Sequence, residues 1–241
     1  MWSSSPVPMT PELEPLPRLR RKRRFDLPKF AGRFSQGIAE VESQVDGYHQ
    51  RWDEANELAR RETGPLWVAL GDSSSQGVGA SEWENGWTHR VLDRLRTATS
   101  EPWRLVNLSM SGGRFLDVAD RQVPVMNTML DTPQLVTVVI GSNDLMWRRG
   151  IRGITRDARR AVERLPDGAY VSKLNGPGPR PKMLNDIFRY GAETKNHQLF
   201  NMWNWPSGRG ALAADRVHPS DLGYQHMTEL AWSALQQGFE L

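Results

Sequence analysis

Residues 66–81 read LWVALGDSSSQGVGAS, an unbroken apolar run that passes directly into glycine and serine. Five apolar side chains in succession leave no polar face, which marks a strand covered on both sides. Further short runs at Arg104 to Leu108, Leu135 to Ile140 and Tyr170 to Leu174, with a weaker one at Leu199 to Met202, extend the pattern. Amphipathic stretches of helical length separate them, near Gly86 to Arg96, Phe115 to Met126, Thr155 to Leu165, Leu184 to Lys195 and Leu222 to Gln236. Buried strands alternating with helices predict a parallel sheet sandwiched by helices. In such sheets the chemistry collects at the carboxyl ends of the strands.

A chain of 241 residues suits one α/β domain with appendages. With 38% hydrophobic and 24% charged residues it has a globular composition. Zero cysteines exclude disulfides, thiolate zinc sites, iron–sulfur clusters and a cysteine nucleophile. A nucleophile must then come from Ser, Thr, Asp, Glu or Lys. No G-x-S-x-G elbow, Walker A, H-E-x-x-H or G-x-G-x-x-G occurs, so neither a nucleotide nor a metal cofactor is expected.

The strand ends carry polar motifs. The first strand runs into GDSSSQG, the second into NLSMSGG and the third into GSND, while DRVHPSDLG precedes the last helix. Asp215 and His218 are three residues apart, so a short turn can aim the carboxylate at one imidazole nitrogen and leave the other free. A serine hydroxyl needs such a base to become a nucleophile at neutral pH.

These four segments, in this order, resemble the SGNH hydrolases, also called GDSL esterases and lipases. The resemblance runs from Leu66 to Gln237 and does not extend to the first 62 residues. It implies a three-layer α/β/α, flavodoxin-like fold with a five-stranded parallel sheet in the order 2-1-3-4-5. It further implies Ser73 as nucleophile, Gly112 of NLSMSGG as a backbone oxyanion donor, and Asn143 of the intact Gly141-Ser142-Asn143-Asp144 block as a side-chain donor. His218 is then the base, Asp215 orients it, and the activity is cleavage of carboxylic esters through an acyl-enzyme. Acyl transfer to an alcohol could use the same residues, and a catalytically silent scaffold would need none of them. Asp72 and Asp144 are expected to brace loops through backbone hydrogen bonds. Among the ten tryptophans, Trp147 is the preferred substrate-binding candidate, with Trp203 and Trp205 as further members of an aromatic wall.

The chain ahead of residue 64 reads differently. Residues 1–33 hold eight basic side chains against three acidic ones; this local +5 exceeds the net +3 of the chain and leaves −2 for residues 34–241. Rich in proline and serine, this tail is expected to lack a fixed fold. Its run Arg18, Arg20, Arg21, Lys22, Arg23 and Arg24 suits an anionic membrane surface and offers no specific contact for nucleic acid. Residues 34–63 place Ile38, Val41, Val45, Tyr48, Trp52, Ala55 and Ala59 alternately three and four apart, the seam of one long amphipathic helix. That helix is expected to lie against the main domain of residues 64–241, dimerisation being its other use. No secretory signal and no apolar window of ~18 residues is found, so a cytoplasmic protein is expected, at most peripheral to the inner face of the membrane.

Overall fold

The structure, a computed structural model, describes residues 14–20, 36–146, 150–204 and 210–239. Strands β1 (Leu66–Gly71), β2 (Arg104–Asn107), β3 (Leu135–Val139), β4 (Tyr170–Ser172) and β5 (Gln198–Phe200) form one parallel sheet. Their order is β2-β1-β3-β4-β5, as the resemblance implies. Along β1 and β3 the side chains alternate between two apolar layers. Leu66, Val68, Leu70, Val136 and Val138 face one, while Trp67, Ala69, Leu135 and Val139 face the other. Both faces being buried is why the runs read as continuously apolar. Thr137, the one polar residue of β3, accepts a hydrogen bond from the Trp67 indole at 2.9 Å, so neither polar group is stranded.

The second layer is closed by α3 (Trp87–Thr99) and α9 (Asp221–Phe239). The first is closed by residues 115–126, α7 (Ile151–Arg164) and α8 (Pro179–Lys195). Residues 115–126, expected as a single helix, are in fact α4 (Phe115–Asp117), a π-helical turn (Val118–Gln122) and α5 (Val123–Met126). Pro124 explains the difference, because it has no N–H to offer the preceding turn and its ring crowds the carbonyl there, which favours a wider turn. Accordingly the Val123 N–H reaches back five residues to the Val118 carbonyl.

The long N-terminal helix is α1 (Gln36–Ala59), and its seam residues Val41, Tyr48, Trp52 and Ala59 are buried. They pack on this chain's own domain. The helix also closes the edge of the sheet, which would otherwise expose unpaired backbone groups. The Asn56 carboxamide donates to the Asn107 carbonyl at 2.9 Å and accepts from the Asn107 N–H at 2.7 Å, standing in for a sixth strand.

Residues 14–20, read from sequence as part of a structureless tail, lie along α1. Leu16 and Leu19 pack against the first layer, and the Leu16 N–H donates to Glu57 at 2.9 Å. Arg18 and Arg20 approach the Asp53 carboxylate at 3.7 and 3.4 Å, and Arg121 donates to the Arg20 carbonyl at 2.7 Å. Two leucines three residues apart give this stretch an apolar hold that composition alone conceals. Arg21, Lys22, Arg23 and Arg24 lie outside the described residues. No helix among the described residues is long and apolar enough to cross a membrane.

Candidate active site

β1 ends at Gly71, whose φ of +152° brings it so close to β3 that an added Cβ would sit 2.4 Å from the Val139 carbonyl oxygen. Glycine is therefore required there. Asp72 follows and caps the short helix α2 (Ser73–Gln76), its Oδ1 accepting from the Ser74 N–H at 3.0 Å and the Ser74 hydroxyl at 2.8 Å. Burial pushes the Asp72 carboxyl above its ordinary pKa, with the two Ser74 hydrogen bonds opposing. Ser73 thus opens α2 at a fixed position.

From Gly77 to Glu82 the chain has no regular structure, so its backbone groups need partners from elsewhere. Side chains supply them. Trp52 donates to the Gln76 carbonyl at 3.0 Å, Tyr224 to that of Val78 at 2.7 Å, and Tyr48 and Gln44 to that of Ala80 at 3.0 and 3.1 Å. Gln44 also accepts from the Gly79 N–H at 3.0 Å. Burial raises the Tyr48 phenol to about 12 and the Tyr224 phenol well above its usual value, which keeps both as donors.

The histidine arrives from the far end of the chain. Asp215 Oδ1 accepts from the N–H groups of Val217 and His218 at 2.9 and 3.0 Å, and the turn closes through Arg216, held at a left-handed φ of +58°. Oδ2 lies 2.5 Å from His218 Nδ1, and His218 Nε2 lies 2.9 Å from Ser73 Oγ. A carboxylate only accepts, so Nδ1 carries the proton and Nε2 presents its lone pair to the serine hydroxyl. Burial works to raise the Asp215 carboxyl, but the His218 ring and the two amides outweigh it and hold the pKa below the ordinary value. Gly79, at φ +100°, makes room for this turn: an added Cβ would stand 2.7 Å from His218 Cβ.

The two remaining blocks meet beside Ser73. Gln76 joins α2 to the loop after β2, donating to the Ser109 carbonyl at 2.9 Å and accepting from the Ser111 hydroxyl at 2.6 Å. Gly112 follows with a left-handed φ of +71°. Asn143, on α6 (Ser142–Met146), donates to the Gly113 carbonyl at 3.0 Å and lies 3.4 Å from Asp72 Oδ2. Asp144 is buried and accepts from the Phe115 N–H at 3.0 Å. Asp72 and Asp144 both act as loop braces. Ser73, Asn143, Asp215 and His218 are thus brought to one rim, with the loop of Gly112 beside them.

The family profile described as GDSL-like lipase/acylhydrolase matches residues 69–226. The chain belongs to the GDSL-like lipase/acylhydrolase family. That makes it an enzyme of the carboxylic ester hydrolase class. Among solved structures it is similar to the psychrotrophic esterase EstA from Pseudoalteromonas sp., at 20% identity and a TM-score of 0.61 over 73% of this chain and 99% of that one. TesA gives 18% identity and a TM-score of 0.58 over 71% and 98%. AlinE4, an SGNH-hydrolase family esterase, gives 20% and 0.56 over 73% and 97%. These likenesses show the fold. No curated protein sequence matches the chain.

In this GDSL protein several residues that hold the site carry no motif. Gln122, on the π-helical turn, donates to the Gly71 carbonyl and accepts from the Gly71 N–H, each at 2.8 Å. Gln44, Asn56 and Gln122 each hold main chain with both ends of a carboxamide, and the first two lie on α1, ahead of the family match. His89 packs between Trp52 and Trp83 at ring distances of 4.5 and 4.3 Å, which ties α1 to α3. Burial lowers its pKa to about 4. Trp203 is partly buried against the second layer, while Trp147 and Trp205 lie outside the described residues.

Proposed function

We propose that this GDSL hydrolase cleaves carboxylic esters through an acyl-enzyme on Ser73. The observation that carries the reading is the unbroken relay from Ser73 Oγ through His218 to Asp215, at 2.9 and 2.5 Å. His218 Nε2 takes the hydroxyl proton as Ser73 Oγ bonds to the ester carbonyl carbon, and Asp215 stabilises the imidazolium without taking that proton. The negative charge on the carbonyl oxygen is met by the N–H groups of Ser73 and Gly112 and by the Asn143 amide, which turns one N–H from its present acceptors toward the oxyanion. Each such donor typically contributes about 100- to 1000-fold in rate. The imidazolium then protonates the leaving alkoxide. Water, activated by the same nitrogen, attacks the acyl-enzyme and releases the acid.

Purified protein is expected to turn over short-chain p-nitrophenyl esters and to be labelled by a fluorophosphonate probe. Ser73→Ala is expected to abolish both. Retention of either activity in that variant refutes Ser73 as the nucleophile.

A further inference from the structure

The charge of residues 34–241 is distributed unevenly along the sequence. Residues 147–195 carry twelve Lys and Arg against five Asp and Glu, a net +7, whereas the rest of residues 34–241 carries eleven against twenty, a net −9. The basic segment follows the GSND block directly. Within it, the loop after β4 borders a cavity of about 430 Å³ lined by Lys173, Leu174, Asn175, Gly176, Lys182 and Arg189, among others, and by no carboxylate. That volume falls in the range of small-molecule sites. The Lys173 ammonium joins no ion pair among the described residues, while Lys182 and Arg189 share the single carboxylate of Asp186. Three cations against one anion leave the wall positive.

Leu174 links the cavity to the block that holds Asn143. An added Cβ on Gly141, which opens the block that holds Asn143, would lie 2.9 Å from Leu174 Cδ1. Leu174 is itself fixed, its N–H and carbonyl paired with the Asn185 carboxamide at 2.8 and 2.9 Å. Ser73 follows β1 and Lys173 follows β4, with β3 between them, so two strand spacings, about 10 Å, separate the two ends.

Resting on the ester-hydrolase reading, we propose that this cavity receives an anionic group of the substrate. The ester cleaved at Ser73 then carries a carboxylate or phosphate about 10 Å from the scissile carbonyl. A rim of one sign concentrates such a ligand and speeds its encounter, and salt screens the attraction.

The test compares matched esters that differ only in that charge: the p-nitrophenyl half-ester of decanedioate against p-nitrophenyl decanoate, and 10-acetoxydecanoate against decyl acetate. The two pairs place the anion on the acyl side and on the alcohol side. In at least one pair the anionic ester is expected to have the higher kcat/KM at low salt, by about tenfold, with the advantage shrinking as salt is added. Lys173→Gln combined with Lys182→Gln should collapse the preference, while Arg159→Gln, on the same basic segment but outside the cavity, should keep it. Equal kcat/KM within both pairs, or a preference that survives the double variant, overturns the proposal. If no ester is cleaved and the fluorophosphonate does not label, the fault lies with the ester-hydrolase reading. The cavity is then judged by calorimetry with decanedioate alone, where binding that the double variant does not weaken, or no binding at all, sinks it.

Discussion

On the β1–β2 flank of Ser73, the end of α2 and the irregular chain up to Ser81 are held by side chains from both ends of the sequence, Gln44, Tyr48 and Trp52 on α1 and Tyr224 and Asp221 on α9. On the β4 flank, the loop beyond Ser172 has the Asn185 clip on Leu174, and then residues 175–180 run exposed through left-handed glycines at 176 and 178. One flank is over-determined and the other is open, a difference that fits the roles proposed for them. A nucleophile displaced by about 1 Å can lose on the order of 100-fold in rate, so its loop must be fixed from several sides. A flank that meets variable parts of a substrate needs room and charge more than rigidity.

The contrast is broken most severely by removing a clip on each side. Gln122→Met deletes two buried hydrogen bonds, taking from the Gly71 N–H its side-chain acceptor and leaving the Gly71 carbonyl with the Met110 N–H at 3.1 Å, and is expected to cost about 3 kcal/mol in urea unfolding. Asn185→Met acts on a half-exposed loop where water can replace the amide, and about 1 kcal/mol is expected. Equal losses would show that the two flanks are held alike.

Acid should loosen the closed flank through His89, while His197 beside β5, whose pKa burial also lowers, adds a loss elsewhere. His89 has a folded pKa of about 4 against an ordinary 6.5. Between these values the unfolded chain binds more protons than the folded one. Stability is therefore fully present above pH 6.5 and falls as pH drops toward 4, by about 2 to 3 kcal/mol in all. Urea midpoints measured from pH 4.5 to 7 should fall with acid in the wild type and fall less steeply in His89→Gln, where only His197 is left to contribute; parallel curves would remove His89 as a cause.

Gln44→Met keeps the shape of the side chain and deletes both bonds to Gly79 and Ala80, the wall on which His218 rests. It is expected to lower kcat on p-nitrophenyl acetate about tenfold with KM little changed. A variant that unfolds more easily yet keeps its kcat per folded molecule would reduce Gln44 to a staple of the loop. The smallest effect is a gain. Gly47 is exposed in mid-helix on α1, with nothing within 4 Å of an added Cβ, so Gly47→Ala should stabilise by about 0.5 to 1 kcal/mol and leave turnover alone. A lower urea midpoint would mean that α1 needs that glycine for a bend.

How far the sequence discloses this molecule depends on whether a feature is local. LWVAL and the valine-rich run from Leu135 are legible because burial on both faces removes polar residues from a strand. Ser73 and the Asp215–His218 pair are legible because each sits in a short pattern. The strand order came from the family resemblance, since alternation of elements does not specify it. Gln44, Asn56 and Gln122 left no signal, because a lone carboxamide on a helix reads as a solvated residue until its backbone partner, 35 to 51 residues away, is in place. Pro124 was visible, but the apolar periodicity around it overrode its warning of a break. A charge of −2 averaged over residues 34–241 concealed two regions of opposite sign.

The clips at Gly71, Asn107, Gly79 and Leu174 are all made by amides, and an amide neither titrates nor attracts counterions. Those four clips therefore have no titration curve and no ionic-strength dependence of their own, unlike the Asp72 carboxylate that caps α2 and the His89 ring that ties α1 to α3. A salt effect on substrate preference can accordingly be assigned to Lys173 and its neighbours, without a correction for a change in the amide clip that holds Leu174.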